Sequence, residues 1–94
     1  MPVGLLTLEL HLPYAHSLKE KRLVIRKLQD RLRARFNVSV SELDFQDMWQ
    51  RSLIGVAALA SNAAVVEATL RAVDEEANSL FPGEMVRSEF AMLE

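Results

Sequence analysis

Residues 5–25 read LLTLELHLPYAHSLKEKRLVI, a stretch that changes from a repeat of two residues to a helical repeat. One face of its first part consists of leucines: Leu6, Leu8, Leu10 and Leu12. This alternation predicts a β-strand with one apolar face. Pro13 ends the strand because proline lacks the N–H that a sheet ladder needs. Ser17 and Glu20 have capping-box spacing, so we expect a helix that begins at Leu18.

The residues that follow predict the first helix and two more strands. The apolar face of the helix has helical spacing: Leu18, Ile25, Leu28 and Leu32. A second strand is predicted where Phe36, Val38 and Val40 alternate with polar residues. Residues 44–47 are polar and predict a turn. The run 53–60 is almost unbroken in its apolar character, which is typical of a strand in the middle of a sheet.

A second helix and a last strand complete the pattern. Ser61 or Asn62 can cap this helix. Its core face has five members: Val66, Leu70, Val73, Ala77 and Leu80. Pro82 and Gly83 end it, and residues 85–93 form a weaker strand pattern. The order β-α-β-β-α-β predicts an α+β, ferredoxin-like sandwich of one domain, residues 1–94, with a four-stranded antiparallel sheet and both helices on one face.

The basic residues are concentrated in the first helix. Eight of the eleven Lys and Arg residues lie between Lys19 and Arg35. Residues 17–36 therefore carry a net charge of +6, and the rest of the chain carries −8. Such a separation makes the helix a candidate surface for phosphate or for an acidic protein. A helix whose charges only keep the protein in solution is the simpler interpretation.

Composition and spacing exclude or disfavour several kinds of site. The chain contains no cysteine, which excludes disulfides, thiolate metal ligands and cysteine nucleophiles. His11 and His16 are the only histidines, and their spacing supplies no third ligand, so we expect no metal site and no cofactor. The sequence shows no signal-peptide pattern and no apolar run of membrane-spanning length. We therefore expect a cytoplasmic protein without a membrane contact.

Three segments carry a family resemblance. They are AHSLKEKR at 15–22, FNVSVSE at 36–42 followed by Asp44, and Gln46-Asp47 followed by Trp49-Gln50-Arg51. Together and in this order they resemble the YlxP-like family of small bacterial proteins. The resemblance implies a ferredoxin-like fold. Genes of that family often lie beside genes for transcription elongation, translation initiation and ribosome maturation, which implies a role near RNA or the ribosome. The resemblance implies no catalytic residue, because no reaction or ligand is established for the family.

The candidate anion-binding residues lie at the start of the first helix and along one stripe of it: Ser17, Lys19, Lys21, Arg22, Arg26 and Arg33. A helix N-terminus offers unpaired amides, and basic side chains add charge and donors. Lys21 differs from the others because it projects among the apolar positions. A capping box with lysine stems lying along the surface is the alternative interpretation.

The sheet face away from the helices is predicted to be apolar. The first strand places Leu5, Thr7, Glu9 and His11 there, and the third places Leu53, Gly55, Ala57 and Leu59. Such a patch favours a homodimer whose twofold interface buries Leu5, Leu53 and Leu59. Trp49 is either an anchor of that interface or a plug of the local core. The face has few aromatic rings on which bases can stack, so an RNA contact is expected on the helix.

These patterns lead to a function without catalysis. Glycine-rich phosphate loops are absent, and Glu42, Asp44 and Asp47 are expected in a solvated hairpin rather than as an acid–base pair. We therefore expect a non-enzymatic binding protein that associates with structured RNA or the ribosome through its basic first helix. The alternative is a dimeric structural or small-ligand-binding module in which that helix is only a solvated surface.

Overall fold

The computed structural model describes residues 1–93 and has six elements in the predicted order. They are β1 (Val3–His11), α1 (Leu18–Arg35), β2 (Ser39–Asp44), β3 (Arg51–Leu59), α2 (Ala63–Leu80) and β4 (Met85–Met92). The strands form one sheet in the order β2-β3-β1-β4, and every neighbouring pair is antiparallel. Both helices cover one face of the sheet and contact each other. The predicted ferredoxin-like α+β fold is confirmed.

The core lies between the sheet and the helices. Leu6, Leu8 and Leu10 of β1 are buried, as the period of two predicts. They pack in one cluster with the buried faces of β3, α1 and α2, including Ile54 and Leu70. β3 lies between β2 and β1, which confirms its predicted interior place.

The second strand differs from the prediction at its start. β2 begins at Ser39, so the expected strand conformation at Phe36 is wrong. Phe36 is instead the C-cap of α1, and its N–H donates to the Leu32 carbonyl at 2.9 Å. The Phe36 ring is partly buried against the core. A half-buried cap and a half-buried strand residue produce the same alternation of apolar and polar positions, which explains the error.

The ends of the helices are fixed by side chains that sequence spacing predicts. Ser17 Oγ accepts from the Glu20 N–H at 3.1 Å, and a Glu20 carboxylate oxygen accepts from the His16 N–H at 2.9 Å. The predicted capping box therefore exists, with its second bond one residue earlier than usual. Asn62, not Ser61, caps α2. Gly83 has a φ of 88° in the turn before β4, a conformation that glycine adopts without steric cost.

Candidate functional site

A buried ion pair joins α1 to the β2–β3 hairpin. The Lys21 side chain is 2% exposed, and its Nζ donates to Glu42 Oε2 at 2.8 Å. The same Nζ donates to the Phe45 carbonyl at 2.5 Å, and Ser52 Oγ donates to Glu42 Oε2 at 2.6 Å. The prediction that Lys21 binds an anion at the surface is therefore wrong. Its charge has fixed partners inside the protein, which offset the cost of removing it from water.

The hairpin that receives Lys21 has an unusual conformation. Phe45 has a φ of 65°, which costs a non-glycine residue about 1 kcal/mol or more. Its N–H donates to Asp44 Oδ1 at 2.7 Å, and its carbonyl accepts from Lys21. The Arg51 guanidinium lies 3.9 Å from the centre of the Phe45 ring. These contacts hold the left-handed residue and direct its carbonyl at the Lys21 ammonium.

An exposed stripe of basic residues follows α1 beside this cluster. We define the basic stripe as Lys19, Arg22, Arg26 and Arg33, all of them exposed. Within residues 1–93, Lys19, Arg22 and Arg26 form no ion pair. Arg33 donates to the Val40 carbonyl at 2.8 Å and lies 3.9 Å from Asp30. Ser17 lies at the N-terminal end of α1, near Lys19, and its hydroxyl oxygen caps the helix.

The opposite flank of α1 is paired with α2. Arg31 Nε lies 2.7 Å from Glu76 Oε2, and Arg35 Nη1 lies 3.1 Å from the same oxygen. The hydrogen bond from Arg31, assisted by the charges of both arginines, lowers the pKa of Glu76 below its ordinary value. Glu42 and Glu76 therefore form ion pairs with three of the eight basic residues of α1 and compensate two of their charges. The uncompensated positive charge is concentrated in the basic stripe.

A surface depression of about 160 Å³ lies between the basic stripe and the β2–β3 hairpin. Arg22, Arg26, Gln29 and Gln46 line it together with the Lys21–Glu42 pair. Anions suit the two arginines. The contacts of Glu42 end on Oε2, which leaves Oε1 able to accept from an N–H or O–H group of a ligand. Sequence reasoning missed Gln29, Gln46 and Glu42 because only the folded hairpin brings them to α1.

The open face of the sheet carries both apolar and charged side chains, and Leu53 lies directly opposite Glu9. Leu5 and Leu53 are half-buried there, and Leu59 is 61% exposed. Glu9 and Arg51 form an ion pair at 3.1 Å on the same face. The expectation of a continuous apolar face is therefore wrong. A homodimer through this face stays a prediction.

Trp49 lies in the turn before β3. Its side chain is 51% exposed, so the interpretation as a plug of the local core is wrong. Its role as an interface anchor with Leu53 was predicted on the condition that the strand extends back to Met48, and β3 begins only at Arg51. That role stays a prediction.

The described residues contain neither a cluster of metal-ligating side chains nor a membrane-spanning helix. Across residues 1–93, no three acidic or histidine side chains come together as a metal site would require. In the same part of the chain, neither helix combines the length and the apolar character that a membrane crossing needs.

Comparison with known proteins identifies the family. Residues 3–90 match the model of a family described as a protein of unknown function (DUF503). The chain belongs to this family. It is also similar to the uncharacterized protein YlxP of Bacillus subtilis (strain 168), with 46% identity over 59 residues. That similarity covers 63% of this chain and 64% of the relative, which is less than two thirds of the relative's length.

Membership of the DUF503 family confirms the resemblance found in the three segments, and the structure shows what these segments have in common. Each contributes a side chain to the contacts that join the β2–β3 hairpin to α1 or to the loop before α1. Lys21 comes from the first segment and Glu42 from the second. Gln50 comes from the third, and its Nε2 donates to the Pro13 carbonyl at 3.0 Å and to the Ala15 carbonyl at 3.3 Å. The three segments therefore fix the start of α1, and with it the orientation of the basic stripe.

Proposed function

We propose that this protein binds structured RNA, as a ribosome-associated and non-enzymatic protein of the cytoplasm, through the basic stripe of α1. The observation that carries the proposal is the unpaired charge of Lys19, Arg22 and Arg26 on one exposed side of a helix. Arg33 continues the stripe at its far end. Phosphate contacts of this kind supply affinity without reading the base sequence.

The open sheet face supports the choice of the helix as the contact. On that face β1 presents Leu5, Thr7 and Glu9, none of them aromatic. The neighbouring hairpin has two aromatic residues: Phe45, whose ring Arg51 covers, and Trp49, which lies in the turn and not on a strand. RNA-recognition sheets of the same topology stack bases on aromatic rings of the central strands. This sheet lacks those rings, so recognition by charge and shape along α1 is the remaining mode.

The proposal is tested with a variant in which Lys19, Arg22 and Arg26 are all changed to Gln. Its affinity for an RNA hairpin of mixed sequence, and its co-sedimentation with purified ribosomal subunits, are measured across a salt series. Each lost phosphate contact lowers the slope of log affinity against log salt by about 0.7–0.9. We therefore expect the slope to fall by about two units, with a nearly unchanged melting temperature because exposed charges contribute little to stability.

The control changes Lys27 and Arg71 to Gln. These two residues are exposed, lie outside the basic stripe and form no ion pair within residues 1–93, and the control removes two positive charges against three in the test variant. We expect it to keep most of the wild-type slope. Equal slopes for wild type and both variants would contradict the proposal and leave α1 as a solvated surface. Reductions of the slope that follow the number of charges removed in both variants would show an effect of net charge alone.

The alternative function is a dimeric structural or small-ligand-binding module. The depression beside Glu42 supports its small-ligand form, because arginine side chains and a carboxylate with a free oxygen line one polar space. A ligand of matching chemistry carries both an anionic group and an N–H or O–H donor. Binding of nucleoside monophosphates that Arg26→Gln and Glu42→Gln each weaken, without any RNA binding, would favour this alternative.

A further inference from the structure

The free edge of β4 presents an unpaired row of backbone groups. The Leu93 N–H donates to the Val3 carbonyl at 2.8 Å, and Thr7 Oγ1 lies 3.5 Å from the Glu89 carbonyl. Arg87, Glu89 and Ala91 therefore direct their N–H and C=O groups at β1, and the register of β4 shifts between Arg87 and Met85. Backbone groups alternate in direction along an antiparallel strand, so those of Ser88 and Phe90 point away from the sheet. Such a row is a template for another strand.

The side chains along this edge are apolar and accessible. Val86 is 59% exposed, Phe90 is 43% exposed and Leu93 is 58% exposed. Phe90 also lines a groove of about 170 Å³ between β4 and α2. The other edge of the sheet differs, because the Arg33 guanidinium covers the Val40 carbonyl of β2. β4 therefore carries the accessible apolar edge of this sheet.

We propose that β4 pairs with β4 of a second copy of this chain, antiparallel, about a twofold axis at Ser88. In this register Ser88 lies opposite Ser88 of the partner subunit, and the outward backbone groups of both form hydrogen bonds. Val86 lies in the register shift of β4, so the regular pairing covers residues 87–89 of each chain. The two four-stranded sheets become one sheet of eight strands, with all helices on the same side.

Charge favours this register over the two adjacent ones, with the axis at Arg87 or at Glu89. Arg87 and Glu89 lie on the open sheet face, where they form an ion pair within the chain. With the axis at Ser88, Arg87 faces the partner's Glu89 and Glu89 faces the partner's Arg87. An axis at Arg87 or at Glu89 would instead place like charges opposite each other, which is destabilising. An axis that lies between two residues, so that even-numbered residues face odd-numbered ones, would put the partner's helices on the opposite face.

The test uses charge inversion and its reversal. In Arg87→Glu, four acidic side chains meet across the axis, so we expect light scattering at high micromolar concentration to show one chain instead of two. The double variant Arg87→Glu with Glu89→Arg restores the alternating charges and is expected to restore the mass of two chains. Recovery in the double variant separates pairing across the axis from a loss of folding.

A second variant addresses the backbone hydrogen bonds. Ser88→Pro removes an N–H that points away from β1, so the sheet of one chain keeps its ladder while the partner loses a donor. We expect a folded single chain by circular dichroism and light scattering.

Leu59→Glu is the matched control on the open sheet face, and it is expected to leave the pair intact. A wild-type protein of one chain at high micromolar concentration would overturn the proposal. A pair that dissociates in Leu59→Glu and persists in Arg87→Glu would also overturn it and assign the contact to the open face. Neither outcome bears on RNA binding by α1, which is measured separately.

Discussion

Lys21 has a different role in the structure from the one that its place in a basic helix suggests. Its place in a basic helix indicates a phosphate ligand, yet its position among the apolar residues puts it inside the protein. The structure decides between these readings with two contacts, at 2.8 Å to Glu42 and 2.5 Å to the Phe45 carbonyl. A buried lysine with fixed partners serves to position the helix and does not bind a ligand at the surface.

The two partners of this ion pair are predicted to differ in the cost of their removal. Glu42→Leu leaves the Lys21 ammonium buried without a counter-charge, so we expect a loss of about 3 kcal/mol in urea unfolding. Lys21→Met is expected to cost less, about 1–2 kcal/mol, because Glu42 reaches solvent and keeps the Ser52 hydroxyl. The double variant should lose less than the sum. Simple additivity would mean that the pair contributes no coupling energy.

Lys21→Met should also leave the salt dependence of RNA binding unchanged. A reduced slope in this variant would show that the ammonium reaches phosphate after all.

Two glycines of the sheet are predicted to respond differently to a methyl group. A Cβ at Gly4 would lie 2.6 Å from Val66 Cγ1 and 2.9 Å from Leu70 Cδ1, in the core beneath α2. Gly4→Ala is therefore expected to cost about 1–3 kcal/mol, as overpacking does. A Cβ at Gly55 would meet only the Leu43 side chain, at 2.5 Å, and that side chain is 48% exposed and can turn away.

Gly55→Ala should consequently change the free energy of unfolding by less than about 1 kcal/mol, because the smaller entropy of the unfolded chain offsets part of the strain. Neither glycine has a positive φ, so backbone strain does not enter the comparison. Equal losses of unfolding free energy in Gly4→Ala and Gly55→Ala would contradict the explanation by local packing.

At the scale of elements, the helices depend on each other through one acidic residue. Glu76 of α2 accepts from both Arg31 and Arg35 of α1, so the acidic helix neutralises one flank of the basic helix. This pairing lies across the molecule from the basic stripe. Most of the charge that remains for a partner therefore lies in the basic stripe, and Lys27 lies outside it.

Glu76→Gln is predicted to lower the melting temperature at neutral pH and to have no effect in acid. The folded pKa of Glu76 lies below its ordinary value of 4.5. Its contribution is therefore complete above pH 4.5 and is lost as the pH falls through the folded pKa. Thermal melts of wild type and variant between pH 7 and about pH 3 should converge at the acidic end.

Glu75→Gln is the control, since Glu75 is exposed and forms no ion pair within residues 1–93. A gap between wild type and Glu76→Gln that persists in acid would show that packing, rather than charge, explains the loss.

The order of the elements was predictable because the apolar periods are strong in β1, β3 and both helices. Their ends were less certain. Phe36 continues the alternation of Val38 and Val40, yet it belongs to the end of α1. Arg51 begins β3 before the apolar run, because its side chain reaches Glu9 on the neighbouring strand. The boundary at Arg51 involves a contact between distant residues, and at Phe36 a helix cap and a strand residue have the same apolar pattern.

At the scale of the whole molecule, the candidate site was only half predictable. The basic stripe follows from helical spacing alone, and Lys19, Arg22 and Arg26 lie where that spacing puts them. The depression beside Glu42 requires the β2–β3 hairpin to fold back onto α1. Gln46 reaches α1 only through the turn at Phe45, and no sequence pattern indicates that this non-glycine residue has a positive φ.

The contact between Arg33 and the Val40 carbonyl has a consequence for how many chains can join. A sheet with two accessible edges can add copies at both ends and grow into a fibre. Here the guanidinium occupies a carbonyl on one edge, so that edge resists further strands. Growth that begins at β4 would stop after a single addition. The arginine that ends the basic stripe would thus also act as a terminator of polymerisation.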